Sequence, residues 1–344
     1  MPAEWEPHEA TWLSWPHNAA DWPGRFAPIH WVYAEIVRKL TPHERVRLVV
    51  RDRTHEGRIR RTLEKVGVAS DRVELLRWTT DRSWCRDTGP IFVLDRAGRR
   101  TIASFRFAGW AKYRNFTRDA RIPARAAKAI GVPLLPVEHE RRPVVLEGGA
   151  IDVNGQGSIL TTEECLLDPE VQVRNPGFGR SEYERLFAEV LGAANTIWLG
   201  RGIAGDDTHG HVDDLARFVS PDTIVLCRER DPNDPNHRVL EENRERLEGA
   251  RLEDGSKPQI VDLPMPCPLV FDGQRLPASY ANFYIANGVV LVPTFNDAAD
   301  RVALGVLAEL FPDREVIGIH SVELVWGLGT LHCLSQQEPA DGMA

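Results

Sequence analysis

The same order of secondary-structure elements recurs several times along this chain, and this repeat restricts the possible folds more than any other feature. Each unit combines an amphipathic helix, a short apolar strand, a polar segment and a hairpin. The clearest hairpins are predicted at 91–94 with 101–105, 150–153 with 158–160, 215–219 with 223–226, and 282–285 with 289–292. Because a single unit cannot bury its apolar faces alone, the units are expected to pack against one another.

The helices and strands between these hairpins complete the pattern. Helical periodicity is predicted at 123–130, 181–191, 238–247 and 299–310, and strands follow at 132–135, 196–199, 259–261 and 316–319. A fifth unit is predicted from a helix at 29–40 and a strand at 46–50, completed by the segment around Cys333. We therefore expect an α/β fold, a five-unit pseudo-symmetric α/β propeller around a central site, in which residues 1–344 form a single catalytic domain.

The charge balance restricts the partners of the chain. It carries 42 Lys and Arg against 50 Asp and Glu, a net charge of -8, and the basic residues are scattered. This distribution disfavours nucleic acid and anionic membranes and favours a small cationic substrate. The sequence shows neither a secretion signal nor an apolar run of about 18 residues, which predicts a cytoplasmic protein without a membrane partner. The oligomeric state is left open, a homo-oligomer included.

Five cysteines form an odd and widely spaced set without a CxxC pair: Cys85, Cys165, Cys227, Cys267 and Cys333. This spacing argues against a disulfide framework and predicts reduced thiols. Cys333, in a glycine-bounded segment near the C-terminus, is the candidate nucleophile, and His211 is the candidate imidazole that assists it. The other four are assigned no functional role.

Polar residues stand just before the first strand of each hairpin, which predicts a shared location. In a pseudo-symmetric ring, Asp87, Glu147, Asp213 and Asn282 would meet at one end of the axis, and Cys333 would complete the set. Asp87 could hold a planar cation by charge-assisted hydrogen bonds, although an Asp before a strand also commonly caps a turn. Trp84 and Trp110 lie near these residues in sequence and could face a cation.

The segment from Asp206 to Asp214 supports two incompatible functions. His209, His211 and Asp213 come close to the HxHxDH pattern of zinc hydrolases, with Asp214 where that pattern has its last histidine. The same spacing equally suits an acid/base imidazole, His211, beside a cation-binding carboxylate, Asp213. The sequence alone leaves both functions open.

The motifs as a set resemble the agmatine deiminase family, which is similar to bacterial-type peptidylarginine deiminases and belongs with the guanidine-modifying enzymes. The resemblance spans nearly the whole chain, and the segments that carry it are 1–8, 84–90, 146–149, 210–213, 279–287 and 332–337. It implies a five-unit α/β propeller, in agreement with the repeat. It also implies hydrolysis of agmatine to N-carbamoylputrescine and ammonia, a step of putrescine biosynthesis, with no cofactor and no metal.

The resemblance also implies roles for individual residues. Cys333 would attack the guanidinium carbon and form a thiouronium intermediate, while Asp87 and Asp213 would hold the guanidinium nitrogens. His211 would protonate the departing ammonia and then activate water, and Glu147 would orient His211. Trp84, Trp110 and Asn282 are expected to contact substrate. The alternatives are an arginine or peptidyl-arginine deiminase, a zinc metallo-hydrolase, and a non-catalytic binding scaffold.

Overall fold

The computed structural model describes residues 1–342 of the chain. Its α-helices are α1 (Phe26–Leu40), α2 (Arg53–Lys65), α3 (Cys85–Thr88), α4 (Ile122–Ile130), α5 (Glu163–Leu167), α6 (Arg180–Leu186), α7 (Pro235–Gly249), α8 (Ala299–Leu310) and α9 (Leu331–Leu334). Its strands are β1 (His8–Ser14), β2 (Arg45–Val50), β3 (Val73–Arg77), β4 (Ile91–Leu94), β5 (Arg100–Ser104), β6 (Leu134–Pro136), β7 (Glu138–His139), β8 (Arg142–Pro143), β9 (Asp152–Val153), β10 (Ser158–Thr162), β11 (Asn195–Leu199), β12 (Ala216–Ser220), β13 (Thr223–Arg228), β14 (Gln259–Pro264), β15 (Val270–Phe271), β16 (Gln274–Arg275), β17 (Tyr284–Ala286), β18 (Val289–Thr294), β19 (Glu315–His320) and β20 (Ser335–Pro339).

Five of the sheets share one plan, which confirms the predicted repeat. Each has two antiparallel strands and a third strand that runs parallel to the second. Four of them follow chain order, as β4-β5-β6, β9-β10-β11, β12-β13-β14 and β17-β18-β19. A helix precedes each parallel third strand, because a parallel connection must cross back over the sheet. The two-stranded sheets β7-β8 and β15-β16 are additions to this plan.

The fifth sheet is built from both ends of the chain. Its order is β20-β1-β2-β3, with β20 antiparallel to β1 and β2 parallel to β1. Pairs such as Thr11 with Gln337 join the two ends directly. The first strand of this unit is therefore the last strand of the chain, and Cys333 stands just before it, as predicted.

The helices cover the sheets with one apolar face each. In α8, Ala303 and Leu307 are buried, whereas Val302 is 55% exposed. This is the spacing that a helix with one buried stripe requires. The predicted helix at 238–247 begins earlier in the structure, because the side chain of Asp234 accepts the backbone N–H of Asn236 and proline occupies the first helical position.

Three elements of the first unit were missed from the sequence: β1, α2 and β3. Strand β1 is buried at six of its seven positions, so it lacks the alternation that marks a half-buried strand. Helix α2 buries only Ile59 and Leu63, too few apolar residues to give a clear period. No helix among residues 1–342 is long and apolar enough to cross a membrane.

Candidate active site

Five predicted residues occupy equivalent places in the five units, each shortly before the first strand of its sheet. Asp87 lies in α3 before β4, and Cys333 lies in α9 before β20. Glu147 and Asp213 lie at or within single turns of 3-10 helix that precede β9 and β12, and Asn282 precedes β17. The pseudo-symmetry thus brings side chains as distant in sequence as Asp87 and Cys333 to one end of the ring axis.

A cavity of about 310 Å³ lies at this end of the ring. Its wall includes the predicted residues Cys333, Asp87, Trp84 and Trp110. The other charged residues of the wall are Asp21, Arg82 and Asp207. Three carboxylates against one guanidinium give the cavity an acidic lining, which favours a cationic ligand.

The sulfur of Cys333 is held by two neighbours. Asn282 Nδ2 donates a hydrogen bond to Cys333 Sγ at 3.1 Å, and Asp213 Oδ2 lies 3.8 Å from the same sulfur. Burial raises the pKa of the thiol well above its usual range, and the negative charges of Asp213, Asp214 and Asp87 raise it further. These surroundings by themselves keep Cys333 protonated at neutral pH.

Two carboxylates face the same small space. Asp87 Oδ2 accepts a hydrogen bond from Trp110 Nε1 at 2.8 Å, and Asp87 Oδ1 accepts one from the backbone N–H of Gly149 at 3.0 Å. Asp213 Oδ1 has no hydrogen-bond partner among residues 1–342. A Cβ atom on Gly149 would lie 2.5 Å from His211 Nδ1 and 3.0 Å from both carboxylates, so only glycine fits beneath the site.

His211 lies between two acids and is 1% exposed. Its Nδ1 is 3.9 Å from Asp87 Oδ1, and its Nε2 is 3.8 Å from Glu147 Oε2. Burial alone would lower the pKa of His211, but Asp87 and then Cys165 and Glu147 raise it well above its usual value. The raised pKa favours the protonated imidazole, which can act as an acid.

Glu147 forms a buried ion pair with Arg174, a residue that the sequence did not indicate. Arg174 Nε lies 3.3 and 3.2 Å from the two oxygens of Glu147, and both side chains are buried. Burial by itself would raise the pKa of Glu147, but Arg174 and His211 lower it below the usual value. The carboxylate therefore stays charged and faces His211, as the predicted orienting role requires.

His332 is the second functional candidate that sequence reasoning missed. Its Nδ1 lies 2.6 Å from Asp213 Oδ2, and its Nε2 lies 2.8 Å from Glu4 Oε2. Glu4 is 328 positions away in the chain, so no local pattern indicates the contact. The available signal was the position of His332 directly before the candidate nucleophile.

Two site residues make contacts that the sequence did not indicate. The expected contact of Asn282 with substrate stays a prediction, and its polar atoms bond within the protein. Its Nδ2 donates to Asp214 as well as to Cys333, and its Oδ1 accepts from Thr330. Cys165 was assigned no functional role, yet its sulfur lies with Glu147 and His211 in a group whose ligand atoms are all within 4.8 Å.

The zinc ligands suggested by the sequence do not come together. His209 Nε2 lies 2.8 Å from Asp168 Oδ2, whereas His211 faces Asp87 and Glu147. Among residues 1–342, the two clusters with metal-ligating atoms close together are Glu147, Cys165 and His211, and Asp213, Asp214 and Cys333. Neither contains His209, so the predicted set of His209, His211 and Asp213 is wrong as a metal site.

Rings of five α/β units with a thiol and an imidazole at the axis are the architecture of the guanidine-modifying enzymes, and fold and site place this chain in that class. More narrowly, the chain belongs to the Porphyromonas-type peptidyl-arginine deiminase family, whose sequence profile matches residues 1–339. The family resemblance inferred from the motifs is thereby confirmed.

Individual relatives agree with this assignment. An agmatine deiminase of Pseudomonas aeruginosa is 32% identical over 99% of this chain and 95% of its own length. The solved agmatine deiminase of Enterococcus faecalis superimposes with a TM-score of 0.92 at 28% identity, covering 99% of this chain and 96% of that one. A Porphyromonas gingivalis structure provisionally named an arginine deiminase has a TM-score of 0.86 at 38% identity, with coverages of 98% and 97%.

Proposed function

We propose that this protein is an agmatine deiminase, which hydrolyses the guanidinium group of agmatine to N-carbamoylputrescine and ammonia. The observation that carries the proposal is that Asp87 and Cys333 line one acidic cavity, with His211 3.9 Å from Asp87 and Asp213 3.8 Å from Cys333. A guanidinium is planar and permanently charged, so two carboxylates on its edge and a thiol on its face suit its chemistry. The agmatine deiminases among its full-length relatives point to the same substrate.

The residues divide the reaction between them. Asp87 and Asp213 hold the guanidinium nitrogens while Cys333 Sγ attacks the central carbon, which gives a tetrahedral adduct. His211 gives its proton to one nitrogen, and the C–N bond breaks to release ammonia and leave a thiouronium. His211 then takes a proton from water and the hydroxide adds to the same carbon. The O–H proton of this adduct passes to solvent as the C–S bond breaks, which releases the neutral ureido product and the thiolate.

The substrate itself completes the activation of the thiol. The acids around Cys333 raise its pKa, and a guanidinium bound between Asp87 and Asp213 neutralises their charge. The pKa of the thiol falls when this cation arrives, so the thiolate forms next to the carbon that it attacks. A reactive sulfur is thereby absent until a cationic substrate is bound.

A panel of three substrates tests the proposal. Ammonia release is measured with agmatine, L-arginine and a peptide that contains an internal arginine, and N-carbamoylputrescine is identified by mass spectrometry. We expect turnover with agmatine and a loss of about 10³-fold or more in Cys333→Ala. Cys267→Ser is the matched control, because Cys267 is an exposed cysteine outside the cavity, and it should keep wild-type turnover.

Two results would contradict the proposal. Turnover of L-arginine or the peptide without turnover of agmatine would favour the alternative substrate, which the Porphyromonas gingivalis relative makes the second candidate. Wild-type turnover in Cys333→Ala would rule out the covalent mechanism.

We further propose a cytoplasmic location, a small cationic guanidino substrate as the partner, and one catalytic domain over the whole chain. All five cysteines are unpaired, which is in keeping with a reducing compartment. The sheet that β20 and β1 share supports the single domain, since the two ends of the chain complete one unit of the ring.

A further inference from the structure

His332 is placed between two carboxylates rather than beside one. Its Nδ1 is 2.6 Å from Asp213 Oδ2, its Nε2 is 2.8 Å from Glu4 Oε2, and the residue is 1% exposed. A carboxylate oxygen can only accept, so each ring nitrogen must donate to satisfy its neighbour. A ring that donates on both sides carries two protons and a positive charge.

Glu4 anchors the far side of the ring. Its Oε1 accepts hydrogen bonds from Arg217 at 2.9 Å and from the backbone N–H of Ile285 at 2.8 Å, and its Oε2 accepts from Arg86 at 2.8 Å. Burial by itself would raise the pKa of Glu4, but Arg217, His332 and Arg86 lower it well below its usual value. Glu4 is thus a charged carboxylate whose two oxygens are both held by hydrogen bonds.

The near side of the ring acts on Asp213. One oxygen of this carboxylate is occupied by His332, and the other has no partner among residues 1–342. Burial would raise the pKa of Asp213, but the hydrogen bond and charge of His332 bring it below the usual value, with help from His211 and Arg217. The ionisable groups that face Asp213 are His332, His211, Arg217, Asp87, Asp214 and Cys333.

We propose that His332 is a positioning residue for guanidinium binding. Supported by Glu4, it keeps Asp213 ionised and fixes the plane of the carboxylate, so that the free oxygen can accept from a guanidinium nitrogen. The ring nitrogens of His332 contact Asp213 and Glu4, so the residue is proposed to act through Asp213 and not on the substrate directly. This inference rests on the proposed deiminase function and assigns a role to a residue outside the reacting groups.

The variant His332→Gln tests the role. Glutamine can donate to one carboxylate but carries no charge, so the pKa of Asp213 should rise and its orientation should loosen. We expect the KM for agmatine to increase about tenfold or more while kcat changes less. The acid limb of the kcat/KM profile should move to higher pH, because Asp213 then becomes protonated at a higher pH. His320→Gln, at a half-exposed histidine, is the control and should leave the profile unchanged.

A double-mutant cycle separates this role from simple support of the fold. Asp213→Asn removes the negative charge that His332 is proposed to stabilise. In that background, His332→Gln should therefore cause almost no further loss of kcat/KM. Independent, additive losses would overturn the proposal. So would a His332→Gln enzyme with an unchanged KM and an unchanged acid limb.

Measurement of the wild-type ring keeps the proposal testable if His332→Gln does not fold. Nitrogen NMR of protein labelled at histidine should show a hydrogen on both ring nitrogens of His332, and a hydrogen on only one of them would overturn the inference. This measurement does not depend on the substrate. Failure of the wild type to release ammonia from agmatine would instead count against the proposed function alone.

Discussion

At the scale of single residues, the proposed nucleophile Cys333 lies in surroundings opposite to those of most reactive thiols. Reactive cysteines usually lie beside cations, which stabilise the thiolate. Cys333 lies beside Asp213, Asp214 and Asp87, and the N–H of Asn282 favours its charged form. In the proposed mechanism selectivity comes from the substrate, because a cation that enters this acidic group lowers the pKa of the sulfur.

The alkylation of Cys333 by iodoacetamide should therefore be slow at neutral pH. Because the pKa of this thiol is raised, the thiolate fraction should increase only above the ordinary thiol value of about 8.5. The measurement is the pH dependence of alkylation of the Cys333 peptide by mass spectrometry, in a Cys267→Ser background that removes the exposed thiol. A midpoint of alkylation below pH 7 would show that a nearby cation lowers the pKa of Cys333 more than Asp213, Asp214 and Asp87 raise it.

Trp110 offers a second test at this scale. Its indole N–H donates to Asp87 Oδ2 at 2.8 Å, so Trp110→Phe leaves a buried carboxylate oxygen without its donor. We expect kcat/KM for agmatine to fall about tenfold, in line with a cost of roughly 1–3 kcal/mol for a lost donor. Trp31→Phe, at a tryptophan that is 54% exposed, should leave the activity unchanged. An equal loss in both variants would mean that the Trp110 bond is unimportant.

At the scale of elements, local pattern predicted the repeats well and the first unit poorly. Helix α8 matches its predicted range of 299–310, and the Asn–Gly turns lie where expected, with Gly155 and Gly288 at φ values of 73° and 71°. These features depend on residues that are neighbours in sequence. Strand β1 is almost wholly buried and pairs with β2 and with β20 at the opposite end of the chain, so it lacks the alternation that would predict it.

The candidate site shows the same division. Asp87, Glu147, Asp213 and Cys333 could be predicted because each precedes a recognisable strand and the repeat implies that they meet. Residues that act through distant contacts could not be predicted, and these are Arg174, Cys165, Glu4 and His332. Their roles depend on which unit lies next to which, and this is a property of the closed ring.

Gly149 lies where the turn before β9 closely approaches His211, and its substitution shows whether this approach is required. It lies in the single 3-10 turn that precedes β9, and an added Cβ would lie 2.5 Å from His211 Nδ1. Gly149→Ala should push the imidazole away from the cavity and lower kcat/KM about 100-fold or more, as misplacement by about 1 Å can do. The readouts are ammonia release and thermal unfolding.

Gly305→Ala is the matched control for this change. Gly305 lies within α8, and a Cβ atom added there would meet no atom within 4 Å, so alanine should be tolerated. Because alanine favours the helix, we expect a gain of about 0.5–1 kcal/mol in stability with unchanged activity. Full activity in Gly149→Ala would show that the close contact between the turn and His211 is not required.

At the scale of the whole molecule, a buried ionic network joins the units beneath the site. Arg217, in β12, donates to Glu4 Oε1 at 2.9 Å, to Asp152 Oδ1 at 3.0 Å and to the carbonyl of Phe283 at 2.9 Å. Its side chain is fully buried. The partners come from the N-terminal segment, from β9 and from the turn before β17, so one guanidinium links several units and holds Glu4 against His332.

Removal of this guanidinium should destabilise the fold strongly. Arg217→Met leaves the buried charges of Glu4 and Asp152 without their main partner, at a cost of about 3–5 kcal/mol. The free energy of unfolding is measured by urea denaturation at pH 7. Arg238→Met, at an arginine whose side chain is 84% exposed, should change it by less than about 1 kcal/mol.

The loss of stability in Arg217→Met should be smaller at acidic pH, because the pKa of Glu4 is lowered in the folded protein. The folded pKa of Glu4 lies well below its usual value, so its ion pairs stabilise the protein fully above the unfolded value of about 4.3. As the pH falls through and below that value, protons bind the unfolded chain first and this contribution is lost. The difference between wild type and Arg217→Met should therefore be smaller at pH 4 than at pH 7. An equal difference at both values would indicate that Arg217 acts by packing against Phe283 instead of by charge.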